Sequence, residues 1–232
     1  GDNVKEEYAT YKKSSAPILL YHAVGEPVEF EWPPGMILPA SLFEEHLQYL
    51  TQEEYQIITV AELAERLKFG YSVEKFVAMS FDDGYKNNHS DALPLLKKYN
   101  AKASFYIVDR DIGKTIYMNQ SQLLDLLASD MEIGSHTINH APLALIDSKY
   151  LPWEIGSAKK FLEKKLDGYV LQGKAYPNGG YNKNVINAMQ EYGFVYGLTG
   201  KVGANTHQNF AQAPYEMYRI SIVDDGSGLE GF

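Results

Sequence analysis

Cysteine is absent from the 232 residues. Disulfides, thiol nucleophiles and thiolate metal sites are therefore excluded, so any metal must be held by nitrogen and oxygen. Long apolar runs are absent too; none approaches the roughly 20 residues that a membrane-crossing helix requires. Basic charge is scarce. Lys and Arg number 21 against 30 Asp and Glu, for a net charge of −9. Nucleic acid is recognised through a basic surface, so no such partner is expected. An acidic surface tolerates a neutral or cationic polymer. Residues 1–15 carry no apolar leader; they are polar and charged. They read as a linker or a trimmed start, with any targeting segment or anchor lying outside them.

The remainder, residues 16–232, is long enough for one α/β domain with a real core. No internal repeat or low-complexity tract divides it. Short apolar runs at 17–21, 55–58, 76–81, 103–108, 131–135, 174–175, 194–198 and 217–222 read as strands. Helical patterns separate them. Phe43, Leu47 and Leu50 share a face after Ser41, and Leu63 and Leu67 follow a capping Thr59. Further helices are expected over 92–99, 123–128, 153–166 and 185–192. This alternation predicts a parallel sheet with covering helices, closed into a distorted (β/α) barrel. A doubly wound open sheet is the alternative. In both, ligand chemistry belongs at the C-terminal ends of the strands.

Polar residues end four of these strands. Ser80-Phe81-Asp82-Asp83-Gly84-Tyr85 sets two acids after an apolar strand. Neighbours on a strand point to opposite faces, so both acids share a site only if the chain turns there, which Gly84 allows. Taken alone, the pair would serve equally well as a helix cap. Gly134-Ser135-His136-Thr137-Ile138-Asn139-His140 sets two histidines four apart, able to meet one cation if the segment makes a helical turn. With Asp83 they form a His-His-carboxylate set that suits zinc and other divalent first-row metals. Ala175-Tyr176-Pro177-Asn178-Gly179-Gly180-Tyr181-Asn182 reads as a groove wall presenting backbone N–H groups, or as a plain turn before a helix. Leu19-Leu20-Tyr21-His22 places a histidine at the rim, where it can act as a general acid. His46 and His89 fall on expected helices and read as solvated. His207 falls in a polar loop, and none of these three is given a role.

The combination resembles the polysaccharide deacetylase (NodB-homology) family. Residues 80–85 and 136–140 are similar to its first two signature motifs, and residues 176–182 look like a variant of the third. The Leu-Leu-Tyr-His start is similar to the branch that deacetylates poly-β-1,6-N-acetylglucosamine, in which the motif order is circularly permuted. The resemblance spans residues 17–222. It implies a distorted barrel of the permuted type, a divalent metal (zinc, with nickel or cobalt as alternatives) and hydrolysis of a sugar acetamide. Asp83, His136 and His140 would be the metal ligands, Asp82 the general base and His22 the general acid. Tyr176, Pro177, Asn178 and Gly179 would form the substrate groove and supply an oxyanion donor. The usual arginine of the third motif is replaced by Ala175-Tyr176. Arg219, in the last strand, is the candidate to orient Asp82 instead. The resemblance also implies an N-acetylglucosamine polysaccharide as substrate, an extracellular or cell-surface location with membrane or cell-wall association, and a monomer. A peptidoglycan or chitin-type deacetylase and a non-catalytic carbohydrate-binding relative are the competing readings.

Overall fold

The apolar runs form strands in the computed structural model, which describes residues 14–26 and 35–224. Of the linker expected over residues 1–15, only the last two lie within the described residues, and Ser15 already pairs with Thr206. The strands are β1 (Ser15–Tyr21), β2 (Ala23–Val24), β3 (Ile37–Leu38), β4 (Gln56–Ile58), β5 (Phe76–Phe81), β6 (Ser104–Ile107), β7 (Glu132–Ser135), β8 (Gly173–Ala175), β9 (Tyr196–Leu198), β10 (Ala204–Thr206) and β11 (Ile220–Ser221). The helices are α1 (Ala40–Gln52), α2 (Val60–Phe69), α3 (Leu93–Lys98), α4 (Gln120–Ala128), α5 (Ala158–Lys165), α6 (Lys183–Glu191) and α7 (His207–Gln212).

Strands β1, β5, β6, β7, β8 and β9 lie side by side, each parallel to the next. All six residues of β5 are buried, as a central parallel strand requires. β4 pairs with the first half of β5, ahead of β6. Met217 bridges Leu198 at the end of β9, and Ile220 and Ser221 pair with Leu19 and Leu20 of β1. One short segment therefore joins the last strand to the first, and the sheet curls into a distorted barrel. The strand expected over 217–222 is regular only at β11, because the segment crosses from one neighbour to the other and follows neither for long.

Strand residues alternate between two layers. Leu19, Val77, Met79, Phe105 and Ile133 face the helices; Ile18, Ala78, Tyr106, Tyr196 and Leu198 pack in a second cluster within the curl. In the helix-facing layer Tyr21, Phe81 and Phe105 stack across three strands at 5.3 and 4.9 Å. Inside the curl Glu132 accepts hydrogen bonds from Tyr196 and from Ser104 Oγ, and the Tyr106 and Tyr196 hydroxyls meet at 2.8 Å. Gly173 makes room for this cluster: a Cβ there would stand 2.0 Å from the Tyr196 ring.

Local signals set most helix ends. Thr59 caps α2 by accepting from the Glu62 N–H, and Asn119 and Gln122 form a reciprocal capping box at α4. The Ser41 cap fails: Pro39 holds that position, without a side-chain bond. The helix expected over 153–166 begins instead as a π turn, Pro152–Ser157, before α5. His46 corrects another expectation. It is 2% exposed and hydrogen bonds to Tyr21, because it lies on the same face of α1 as Phe43, Leu47 and Leu50.

Candidate metal centre and catalytic site

The C-terminal ends of β5 and β7 meet at one point. After β5 the chain breaks sharply: Asp83 has φ 74 and Gly84 φ 79. The left-handed turn falls on the aspartate itself as well as on the glycine, and it aims both acids into one site. Such a conformation at a non-glycine residue is strained by about 1–3 kcal/mol unless its surroundings hold it. Met118 N–H bonds to the Gly84 carbonyl, and the Asp82 N–H bonds to the Tyr21 carbonyl, so both sides of the break are fixed.

Asp83, His136 and His140 each offer one ligand atom, and these atoms lie within 4.8 Å of one another. Asp83 Oδ1 stands 3.4 Å from His136 Nε2 and 3.3 Å from His140 Nε2. Among the described residues this buried oxygen has no well-formed hydrogen bond; the two imidazole nitrogens face it without the alignment of one. Two nitrogens and an orphaned carboxylate oxygen facing a common point are the donor set a divalent cation requires. His136 Nδ1 donates to the Ala175 carbonyl at 2.8 Å, which leaves the Nε2 lone pair free for a metal. The histidines do not meet through a helical turn. Thr137 and His140 have φ of 71 and 55, so the segment bends as an irregular loop.

Asp82 is 3% exposed and is not a member of that triad. Its Oδ1 accepts from Arg219 Nη1 at 2.8 Å, and its Oδ2 lies 3.9 Å from His136 Nε2. Arg219 is itself 3% exposed and also donates from Nε to the Thr199 carbonyl. Burial alone would raise the Asp82 carboxyl; the guanidinium outweighs it, with help from His136, and holds the group below the usual carboxylate range. Burial likewise opposes the charge on Asp83, and the two imidazoles more than compensate, so its carboxyl lies far below its usual value. The Asp83 carboxylate in turn raises His140.

His22 follows β1 and lies close enough to Asp82, Asp83, Arg219 and His136 for each to bias its charge. Its acidic neighbours are Asp82 and Asp83, which favour the charged imidazole. Burial nonetheless outweighs their attraction and lowers the imidazole below its ordinary value, contrary to an acid kept protonated. Tyr85 and Tyr117 stack at 5.2 Å beside Asp83.

The loop after β8 differs from expectation in its details. The Tyr176 side chain is fully buried and donates to the Tyr215 carbonyl, so it is core and no groove wall. Its N–H is taken by the Leu198 carbonyl, and the amides of Gly179 and Gly180 bond within the loop. Pro177 is buried and has no N–H. Within 176–180 the Asn178 N–H is the one amide without a backbone partner among the described residues, and Asn178 (φ 56) and Gly179 (φ 68) are both left-handed. Gly179 passes so close to Gly200 that a Cβ would lie 2.4 Å from its nitrogen. His207 and His89 stay outside the site: the first bonds to the Tyr71 carbonyl, the second to Asp125.

Three charged residues beneath the site carry no sequence signal of their own. Glu154 accepts from the amides of Ile138 and Asn139. Lys174 is fully buried, donates to Ser135 Oγ at 2.7 Å, and is pushed down to about 7 by burial. Asp109, raised by burial to about 7, is buried with neither carboxylate oxygen paired.

The sequence profile of the family described as "Polysaccharide deacetylase" matches residues 70–197. The protein YxkH of Bacillus subtilis is 28% identical over 228 residues, which is 98% of this chain and 78% of its own. The poly-β-1,6-N-acetyl-D-glucosamine N-deacetylase of Staphylococcus epidermidis is 28% identical over 197 residues, covering 79% of this chain and 67% of that protein. Among solved structures, the Streptococcus pyogenes deacetylase PplD in complex with acetate superposes with a TM-score of 0.83 at 25% identity, covering 93% of this chain and 96% of the other.

Proposed function

Because the chain belongs to the polysaccharide deacetylase family, we propose that it is a metal-dependent hydrolase that removes N-acetyl groups from a surface N-acetylglucosamine polymer, poly-β-1,6-N-acetylglucosamine. The observation that carries this reading is the convergence of Asp83, His136 and His140 on one point beside an Asp82 fixed by Arg219. The choice of polymer is supported by the staphylococcal relative named for it, which matches over 79% of this chain. A polymer of this kind lies outside the cytoplasm, and we place the enzyme at the cell surface with it.

Asp83, His136 and His140 would hold the cation. Bound there, a divalent ion supplies Lewis acidity toward the amide carbonyl and toward water. The chain's own residues do the rest. Arg219 occupies one oxygen of Asp82 and keeps the carboxyl ionised, which leaves Oδ2 to take the proton of the attacking water. The Asn178 N–H is the loop's uncommitted donor for the oxyanion of the tetrahedral intermediate. His22 gives a proton to the departing sugar amine.

The test is acetate release from a panel of N-acetylglucosamine polymers that differ only in linkage. Release from the β-1,6 polymer above the others is the expected result. Release confined to peptidoglycan or chitin oligomers would move the substrate assignment to those. Absence of acetate from every polymer, with metal supplied, would reject the enzyme in favour of a non-catalytic binding relative.

A further inference from the structure

Two histidines four residues apart meet on a helix without help, but the 136–140 segment is not helical. The residues flanking its central pair, Thr137 and His140, both carry positive φ. A bend of this kind persists only where the surroundings hold it. The Asp109 and Arg110 amides bond to the Thr137 and Ile138 carbonyls, and on the other side of the loop its amides are held by Glu154, from the π turn before α5. Its Oε2 accepts from the N–H of Ile138 at 3.1 Å and of Asn139 at 3.0 Å. Its Oε1 accepts from Asn139 Nδ2 at 2.6 Å. Glu154 is 5% exposed, so its end of all three bonds is shielded from water. The two backbone amides it binds lie between the two strained residues, one next to each.

The histidines are not secured alike. His136 is fixed independently, by Nδ1 on the Ala175 carbonyl. His140 has no such bond; its imidazole is 36% exposed and faces Asp83. The orientation of His140 therefore depends on the loop backbone that carries it. Lys174 lies under the same loop, donating to Ser135 Oγ at 2.7 Å and to the Glu154 backbone carbonyl at 3.4 Å.

We propose that Glu154 is a positioning residue: it bends the 136–140 loop so that His140 joins His136 and Asp83, and thereby sets how tightly the centre holds its cation. The proposal rests on reading Asp83, His136 and His140 as a metal centre. It assigns Glu154 no contact with substrate.

The experiment compares metal-stripped wild type with Glu154→Ala, Glu154→Gln and Asp83→Ala. Zinc affinity is read by competition with a chromophoric chelator, ligand geometry by the visible spectrum of the cobalt(II) form, and turnover by kcat and KM for acetate release. Glu154 supports the loop that carries a ligand, so Glu154→Ala should weaken zinc binding by about 10-fold or more, the lower end of the loss seen when a ligand loses its outer partner. Glu154→Gln keeps one acceptor oxygen and should fall between it and wild type. The cobalt spectrum should change in both, and kcat should drop with KM held. If Glu154→Ala does not fold, Glu154→Gln carries the same comparison. A folded Glu154 variant with lowered melting temperature but wild-type zinc affinity and cobalt spectrum would overturn the proposal. Unchanged zinc affinity in Asp83→Ala would instead overturn the metal centre on which it rests.

Discussion

Replacing Arg219 by methionine keeps most of the side-chain volume and removes the charge. Arg219 and Asp82 are each 3% exposed and bonded at 2.8 Å, so the substitution leaves a buried carboxylate without its cation. Breaking a buried pair from one side costs about 3–5 kcal/mol. In a domain of this size each kcal/mol lowers the melting temperature by roughly 2–4 °C, so a fall of roughly 6–20 °C is expected. A second effect has a definite sign. With the guanidinium gone, burial acts on Asp82 with less opposition and its carboxyl rises from the depressed range. Asp82 must be ionised to serve as base, so the acid limb of the rate profile should move to higher pH. The double variant Asp82→Asn with Arg219→Met removes both charges and should recover much of the lost stability, which a double-mutant cycle would show as coupling. Thermal unfolding and acetate release across pH measure both effects. An Arg219→Met protein that melts within about 2 °C of wild type, with its acid limb unmoved, would refute the reasoning.

Asp82→Asn alone should still bind metal while losing about 100- to 10,000-fold in turnover, the usual worth of acid–base catalysis; near-normal rates in a folded variant would remove it as the base. His22 should titrate below its ordinary value of 6.5 in the metal-free protein, followed by NMR of the ring proton, and His22→Ala should bind metal yet release acetate slowly. A His22 titration at or above 6.5 would show that burial does not dominate there. Gly179→Ala should destabilise the loop by more than about 1 kcal/mol, because φ is +68 and the new Cβ would meet Gly200. An unchanged melting temperature would mean that the two backbones part at little cost.

The strands and the site were unevenly legible in the sequence. Asp82 and Asp83 stand out because two acids after an apolar strand need a chain break, and Gly84 advertises one. Arg219 could be named because residues 175–176 lack the arginine that the resemblance leads one to seek, and the last strand offers a replacement at the same rim. Local pattern cannot show strain, so the left-handed turns at Asp83, Thr137 and His140 were invisible, and a helical turn was expected where the loop bends irregularly. Glu154 was hidden for another reason: it reads as one more acid in an amphipathic stretch, and only the fold carries it to the Ile138 and Asn139 amides. His46 was legible by position but masked by type. Its spacing from Phe43 and Leu50 puts it on the buried stripe, yet a histidine on a helix suggests solvent. Tyr176 shows the converse, since its place in a loop suggested a groove while its ring fills the core.

The central claim is that deacetylation depends on a cation held by Asp83, His136 and His140. It is tested most directly by titrating metal-stripped protein with zinc while measuring bound metal and acetate release in the same samples. The account predicts no release without metal, one cation bound per chain, activity rising in proportion to it, and loss of both binding and activity in Asp83→Ala. Full-rate acetate release by the metal-stripped protein, or metal-dependent release that survives Asp83→Ala unchanged, would contradict it.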